Sequence, residues 1–252
     1  MIEYETRGNV AIITIDRPEA RNAVNGDVAE GIEAAIDRME ADDEIWIGVL
    51  THEGPVFCAG ADLKAINSGD AARLNTPTGG FGGITAKART KPIIAACNGP
   101  AYAGGCEIVL ACDLLVATPD VTFSVPEVKR NLVAAAGALF RLPAALPKNV
   151  AMEMLLTGDP IDAERAHALG FVNRMAESGK AVDVAVELAA QISENAPLAV
   201  RKSREVALQS FDTDEEAFAA SGRAIAEVMA SEDTKEGLSA FIEKRKPEWK
   251  GR

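Results

Sequence analysis

Lys91-Pro92-Ile93-Ile94-Ala95-Ala96-Cys97-Asn98-Gly99-Pro100-Ala101-Tyr102-Ala103-Gly104-Gly105-Cys106-Glu107 is the stretch that decides the architecture. Its first half is a nearly continuous apolar run, which suits a strand buried on both faces of a sheet. Its second half turns through small residues into a helix predicted over 105–112, and Leu114-Leu115-Val116-Ala117 reads as the next strand. Glycines at 104 and 105 let the backbone approach a ligand closely, and the first N–H groups of a helix have no helical partners. An N–H aimed from this point can stabilise an oxyanion, with Glu107 close to the same centre. Taken alone, a tight turn and a first-turn glutamate that favours the helix explain the same residues.

Outward from this stretch the pattern repeats. Val10 to Ile15 and Ile45 to Thr51 are predicted strands, and 27–41 is an amphipathic helix carrying Val28, Ile32, Ala35, Ile36 and Met39 on one face. Strand, helix, strand, loop, strand, helix, strand is the order of an α/β core. Residues 67–83, rich in Gly, Asn and Thr, read as a mobile surface segment of the kind that borders binding sites. Past Leu142-Pro143 the chain turns mainly helical, with helices predicted over 148–156, 162–169, 181–194, 198–209, 214–230 and 233–244. We divide it into an α/β body, 1–196, and a helical region, 197–252, which is too short to bury its own apolar faces and needs the body or a neighbouring subunit.

The 252 residues carry 26 Lys plus Arg against 38 Asp plus Glu, a formal charge of −12, which argues against a general nucleic-acid binder. His52 and His167 are the only histidines, so a histidine-rich metal site has no donors. Cys58, Cys97, Cys106 and Cys112 form no CxxC pair and read as reduced thiols of a cytoplasmic protein. No apolar run reaches transmembrane length and residues 1–9 hold no signal-peptide core. No GxGxxG follows the first strand and no GxSxG occurs, which disfavours a dinucleotide fold and a serine hydrolase.

Two further segments carry chemistry. Cys58-Ala59-Gly60-Ala61-Asp62-Leu63-Lys64 steps from an apolar strand into a small-residue turn, which permits a second exposed N–H, with Asp62 alternatively a helix cap. Phe123-Ser124-Val125-Pro126-Glu127 presents Glu127 just after a proline. Glu107 and Glu127 are twenty residues apart and can meet only through the fold. Two carboxylates around one water can deprotonate it and return a proton to carbon.

Together these segments resemble the crotonase superfamily, most closely the enoyl-CoA hydratases, over nearly the full chain. Arg17-Pro18-Glu19-Ala20-Arg21-Asn22-Ala23, Phe57 to Lys64, Asn98 to Glu107, Phe123 to Val128, Leu156-Thr157-Gly158 with 163–173, and Glu236 to Arg245 carry the resemblance in order. It implies a spiral of ββα units with C-terminal helices, assembled as trimers or hexamers. It implies backbone N–H groups of Ala61 and Gly104 as the oxyanion hole, and Glu107 and Glu127 as acids that add water to a trans-2-enoyl-CoA. It implies coenzyme A contacts from Arg21, Ala23, Ala59, Asp62, Leu63 and Lys64, and from Phe241 and Lys244 of the tail. Coenzyme A is then part of the substrate, with no separate cofactor and no metal, nucleic acid or membrane partner. An enoyl-CoA isomerase, which needs one acid, and a nonenzymatic acyl-CoA-binding or assembly protein are the alternatives. Departures from the pattern are Pro100, Ala103, Asn131 and the pair Gly137-Ala138.

Overall fold

The apolar runs 10–15, 47–52 and 93–97 are buried throughout, because the sheet they form is covered on both sides. The structure, a computed structural model, describes residues 1–210 and 213–251; Phe211, Asp212 and Arg252, all within the 197–252 region, lie outside the described residues. In chain order the strands are β1 (Ile2–Arg7), β2 (Val10–Ile15), β3 (Ile47–His52), β4 (Asn75–Thr76), β5 (Gly80–Phe81), β6 (Ile93–Cys97), β7 (Ala101–Tyr102), β8 (Leu114–Ala117), β9 (Thr122–Ser124), β10 (Ile161–Asp162) and β11 (Arg174–Met175). The helices are α1 (Gly26–Ala41), α2 (Leu63–Asn67), α3 (Gly104–Ala111), α4 (Ala138–Ala145), α5 (Lys148–Thr157), α6 (Ala163–Ala168), α7 (Ala181–Ser193), α8 (Pro197–Ala207), α9 (Asp214–Met229) and α10 (Glu232–Glu243).

The main sheet has six strands in the order β1-β2-β3-β6-β8-β11, parallel except for the antiparallel edge pair β1–β2. Successive side chains of a strand point to opposite faces. Ala11, Ile13 and Ile15 of β2 accordingly join Val28, Ile32 and Ile36 of α1 in the larger core. Val10 and Ile12 face the other way, with Ile47, Val49, Ile94 and Ala96, against Ala181, Ala185 and Ala189 of α7. A smaller sheet, β10-β9-β7, stands beside it and carries Phe123 into the larger core.

The structure corrects several expectations. Residues 2–7, given no element above, form the edge strand β1, in which the half-buried Ile2 and Tyr4 alternate with the exposed Glu3 and Glu5. The helical half begins before Pro143, because Pro143 lies inside α4. The segment 67–83 is tied down rather than free. Arg73 sits at its centre and bonds Glu30 and Asp27 of α1 and Asp70, with 2.8 to 3.3 Å separations, while Leu74 beside it is buried.

Both histidines serve the fold. His52 Nε2 accepts the Asn98 N–H at 3.0 Å, and the ring packs edge-on to Phe57. His167 Nδ1 lies 2.8 Å from the Val172 carbonyl oxygen. At the other end of the body, Asp113 is held between Arg89 and Arg204, joining α8 to the end of α3. All four cysteines are free, and burial pushes the Cys58 and Cys112 thiols up to about 12. No helix among the described residues is long and apolar enough to cross a membrane.

Burial is the main force lowering the His52 pKa from 6.5 to about 4, so the folded ring stays neutral where the unfolded one takes up a proton. Its contribution is complete above pH 6.5 and is lost as the pH falls toward 4, by at most about 3 kcal/mol. Urea unfolding followed from pH 7 to pH 4 should show stability falling across this window. His52→Gln should flatten the slope by up to about one proton.

Candidate active site

The sequence brings three turns together through backbone pairing. Residues 21–24 run beside 59–62: Ala59 N–H donates to the Arg21 carbonyl, Val24 N–H to Gly60, and Asp62 N–H to Val24, at 2.8 to 3.1 Å. Asn22, fully buried with φ +54°, fastens this motif from within. Its Oδ1 accepts the Arg17 N–H, and its Nδ2 donates to the carbonyls of Glu53 and Val56. Arg17 then reaches across the pairing, with Nη1 2.8 Å from Asp62 Oδ2 and donating to the Ala23 carbonyl at 2.8 Å.

Asp62 is therefore turned inward. Its other oxygen caps α2 by accepting the Lys64 and Ala65 N–H groups. Burial alone would raise this carboxyl, but Arg17 and the two N–H groups outweigh it and hold it below the usual range. Of the other residues expected to meet coenzyme A, Ala23 and Ala59 are half-buried on the paired segments, while Arg21, Leu63 and Lys64 are exposed along the same edge. Phe241 and Lys244 are exposed at the end of α10, with Lys244 in the left-handed conformation.

The Gly60 turn abuts the start of α3. Gly60 has φ +95°, and a Cβ there would come within 2.9 Å of Ala103 Cβ and 3.2 Å of Gly104 N. The turn that leads into Ala61 is thus packed against the start of α3, and neither the Ala61 nor the Gly104 N–H has an acceptor among the described residues. A Cβ on Gly104 would overlap the ring of Phe81, which reaches over α3 from the 67–83 segment. A Cβ on Gly105 would overlap the Cys58 carbonyl. Both glycines are required by close approach.

Ala103 caps α3 at φ +52° and ψ −127°, a conformation that a side chain strongly disfavours. Asn131 adopts φ +57°, the left-handed turn that asparagine tolerates.

The charge of Glu127 reaches Glu107 as a minor contribution. Glu107, 3 % exposed on α3, has Oε1 accepting the Ala138 N–H at the start of α4 at 3.1 Å. Burial is the main force raising its pKa; the Ala138 N–H opposes it, the Glu127 charge adds to it, and Arg141 pulls back. Glu127 opens the 3-10 turn Pro126–Arg130 that follows β9. Burial raises its pKa as well, and its Oε2 is buried with no hydrogen-bond partner among the described residues.

Two desolvated carboxyls of raised pKa and two unpaired N–H groups are the kinds of group that can move protons next to a polarised carbonyl. Sequence reasoning gave no role to three contributors to the site. Arg17 is explained by its pairing with Asp62, Ala138 by the helix start after Gly137, and Arg141 by its reach back toward Glu107. Gly137, at φ +130°, was the visible signal for the second of these.

The sequence profile of the Enoyl-CoA hydratase/isomerase family matches residues 5–252. The chain is 38% identical over 258 residues to carnitinyl-CoA dehydratase from Proteus mirabilis, covering 100% of this chain and 98% of that protein. It is 36% identical over 247 residues to mevalonyl-coenzyme A hydratase from Aspergillus fumigatus, covering 96% and 92%. Enoyl-CoA hydratase from Mycobacterium tuberculosis H37Rv superposes with a TM-score of 0.96 at 45% identity, over 100% and 99% of the two chains. The chain belongs to the enoyl-CoA hydratase/isomerase family, the crotonases, and has its fold.

Relief of the strained backbone at Ala103 should outweigh the added freedom of glycine. Ala103→Gly is expected to stabilise the protein by about 1 kcal/mol, read as a raised urea midpoint with unchanged m-value.

Proposed function

We propose that this protein is an enoyl-CoA hydratase, a hydro-lyase that adds water reversibly across the 2,3-double bond of a trans-2-enoyl-CoA to give a 3-hydroxyacyl-CoA. The observation that carries the reading is the pair Glu107, buried, and Glu127, half-buried with Oε2 out of solvent, both with raised pKa, together with the unpaired N–H groups of Ala61 and Gly104. In this reading the two N–H groups hold the thioester oxygen and stabilise the enolate that develops on it.

The environments of the two acids support different roles. Glu107 accepts an N–H and faces Arg141, both of which favour its carboxylate, so it takes the proton from water as the oxygen bonds to C3. Glu127 has an oxygen without a donor in a desolvated position, which favours the acid, so it delivers the proton to C2. Water's hydroxyl ends on C3, C2 gains one hydrogen, and the two carboxyls exchange charge state until a proton passes between them. Retention of both acids supports a hydratase over an isomerase or a nonenzymatic binder. Two of the relatives are named for hydrating or dehydrating other CoA thioesters, which supports the same chemistry in either direction.

Coenzyme A would lie along the edge formed by Arg21, Ala23, Ala59, Leu63 and Lys64, where the exposed cations can meet its phosphates. Asp62 would position this edge through Arg17 rather than touch the substrate. A homotrimer, or a hexamer of paired trimers, would cover the apolar faces of α9 and α10, where Phe218 is 78% and Phe241 is 85% exposed. Phe241 and Lys244 would then sit at the edge of a neighbouring site. The reduced thiols and this substrate class suit a cytoplasmic enzyme.

Crotonyl-CoA and longer enoyl-CoAs should lose their enoyl-thioester absorbance on addition of the protein. Glu107→Gln and Glu127→Gln should each lower kcat by about 100-fold or more. Full activity in both variants would refute the two-carboxylate mechanism.

A further inference from the structure

Arg141 has figured so far only through its charge, yet its hydrogen bonds also converge on the site. It stands on the first turn of α4, three residues after Ala138, and its side chain folds back over Gly137. A Cβ at Gly137 would overlap its Nη1 atom, so that glycine is the space the guanidinium needs. From there Nη2 donates to the Thr85 carbonyl at 2.7 Å, and Nη1 to the Ala136 carbonyl at 3.4 Å. Thr85 follows the segment that carries Phe81 against Gly104 and donates its N–H to the Phe81 carbonyl, and Ala136 lies in the turn that presents the Ala138 N–H to Glu107. One planar group thus joins the stretch after Phe81 to the turn before α4.

We propose that Arg141 is a positioning residue: by bridging the Thr85 and Ala136 carbonyls it holds the turn whose Ala138 N–H fixes the Glu107 carboxylate. Its charge adds to the effect. The titratable and charged groups that face Glu107 are Glu127, which disfavours the carboxylate, Arg141, which favours it, and the thiol of Cys106 on its own helix. Arg141 is the only cation in this set among the described residues. A guanidinium suits the task because it reaches the two carbonyls from two nitrogens held in one rigid plane, whereas lysine offers its donors from a single atom on a flexible stem. The kinetic part of the proposal rests on the hydratase reading, and the structural part does not.

Arg141→Met and Arg141→Lys test it, each checked for folding by thermal melting and circular dichroism. In Arg141→Met, kcat for crotonyl-CoA hydration should fall at least about tenfold with KM within about twofold, and the acid limb of the pH–kcat profile should move to higher pH. In Arg141→Lys, which keeps the charge and loses the fork, the limb should stay while kcat falls. Titration of the Glu107 carboxyl by carbon NMR, assigned with Glu107→Gln, should show the same upward movement in Arg141→Met without any substrate.

A folded Arg141→Met with wild-type kcat and an unmoved Glu107 titration overturns the proposal, as does an effect confined to KM. If Arg141→Met does not fold, Arg141→Lys decides by itself, and wild-type kcat there overturns the proposal. If the wild type turns over no enoyl-CoA, the hydratase reading fails, and the NMR titration still decides the role of Arg141.

Discussion

The site depends on the pairing of two loops that carry no regular secondary structure: 21–24 lies along 59–62 as if it were a strand. That pairing takes up the N–H groups of Val24 and Asp62 and leaves the intervening Ala61 N–H free. Arg17 and Asp62 lock the register with a half-buried ion pair, and Asn22 ties the same motif to the turn after β3. A shift of one residue would send a different N–H toward Gly104. The constraint is one of hydrogen-bond accounting: a free donor in a crowded turn exists only because its neighbours have partners.

Close approach provides the other half. Gly60, Gly104 and Gly105 sit where a Cβ would meet Ala103, Phe81 and the Cys58 carbonyl. The strain at Ala103 is tolerated in the middle of this contact, between β7 and α3, where β7 is paired to β9 and α3 is buried along its length. Rigid elements thus fix a turn whose conformation is unfavourable by itself.

Polarity around the acids follows from which elements end nearby. Glu107 faces inward from α3 and would be an unsatisfied buried group without the start of α4, whose first N–H it accepts. Glu127 leaves β9 through a proline-led turn and meets no comparable donor, so two residues of the same type differ in environment. Division of labour between like carboxyls arises in this way, from burial and donors.

Much of this was legible in the residues. The buried strands 10–15 and 93–97, the amphipathic α1, and the glycine turn before Glu107 all follow from period and composition. The helix α4 was not legible, because it carries a proline. The 67–83 segment reads as loose because glycine and threonine say nothing about Arg73, which fastens it to residues more than forty positions away. Nothing in its sequence neighbourhood gives His52 a task, and only the Asn98 N–H on its ring shows that it is part of the fold.

The sequence by itself determined which groups were available: two glutamates in recognisable motifs, two small-residue turns, and no histidine-rich site. Tertiary structure alone decided that Glu107 and Glu127 share one field, that Asp62 serves Arg17, and that Ala138 and Arg141 converge on Glu107. The physical reason is distance along the chain. Local periodicity and turn chemistry act within a few residues, whereas burial, charge coupling and hydrogen-bond satisfaction depend on elements that meet only when the sheet and its helices have packed.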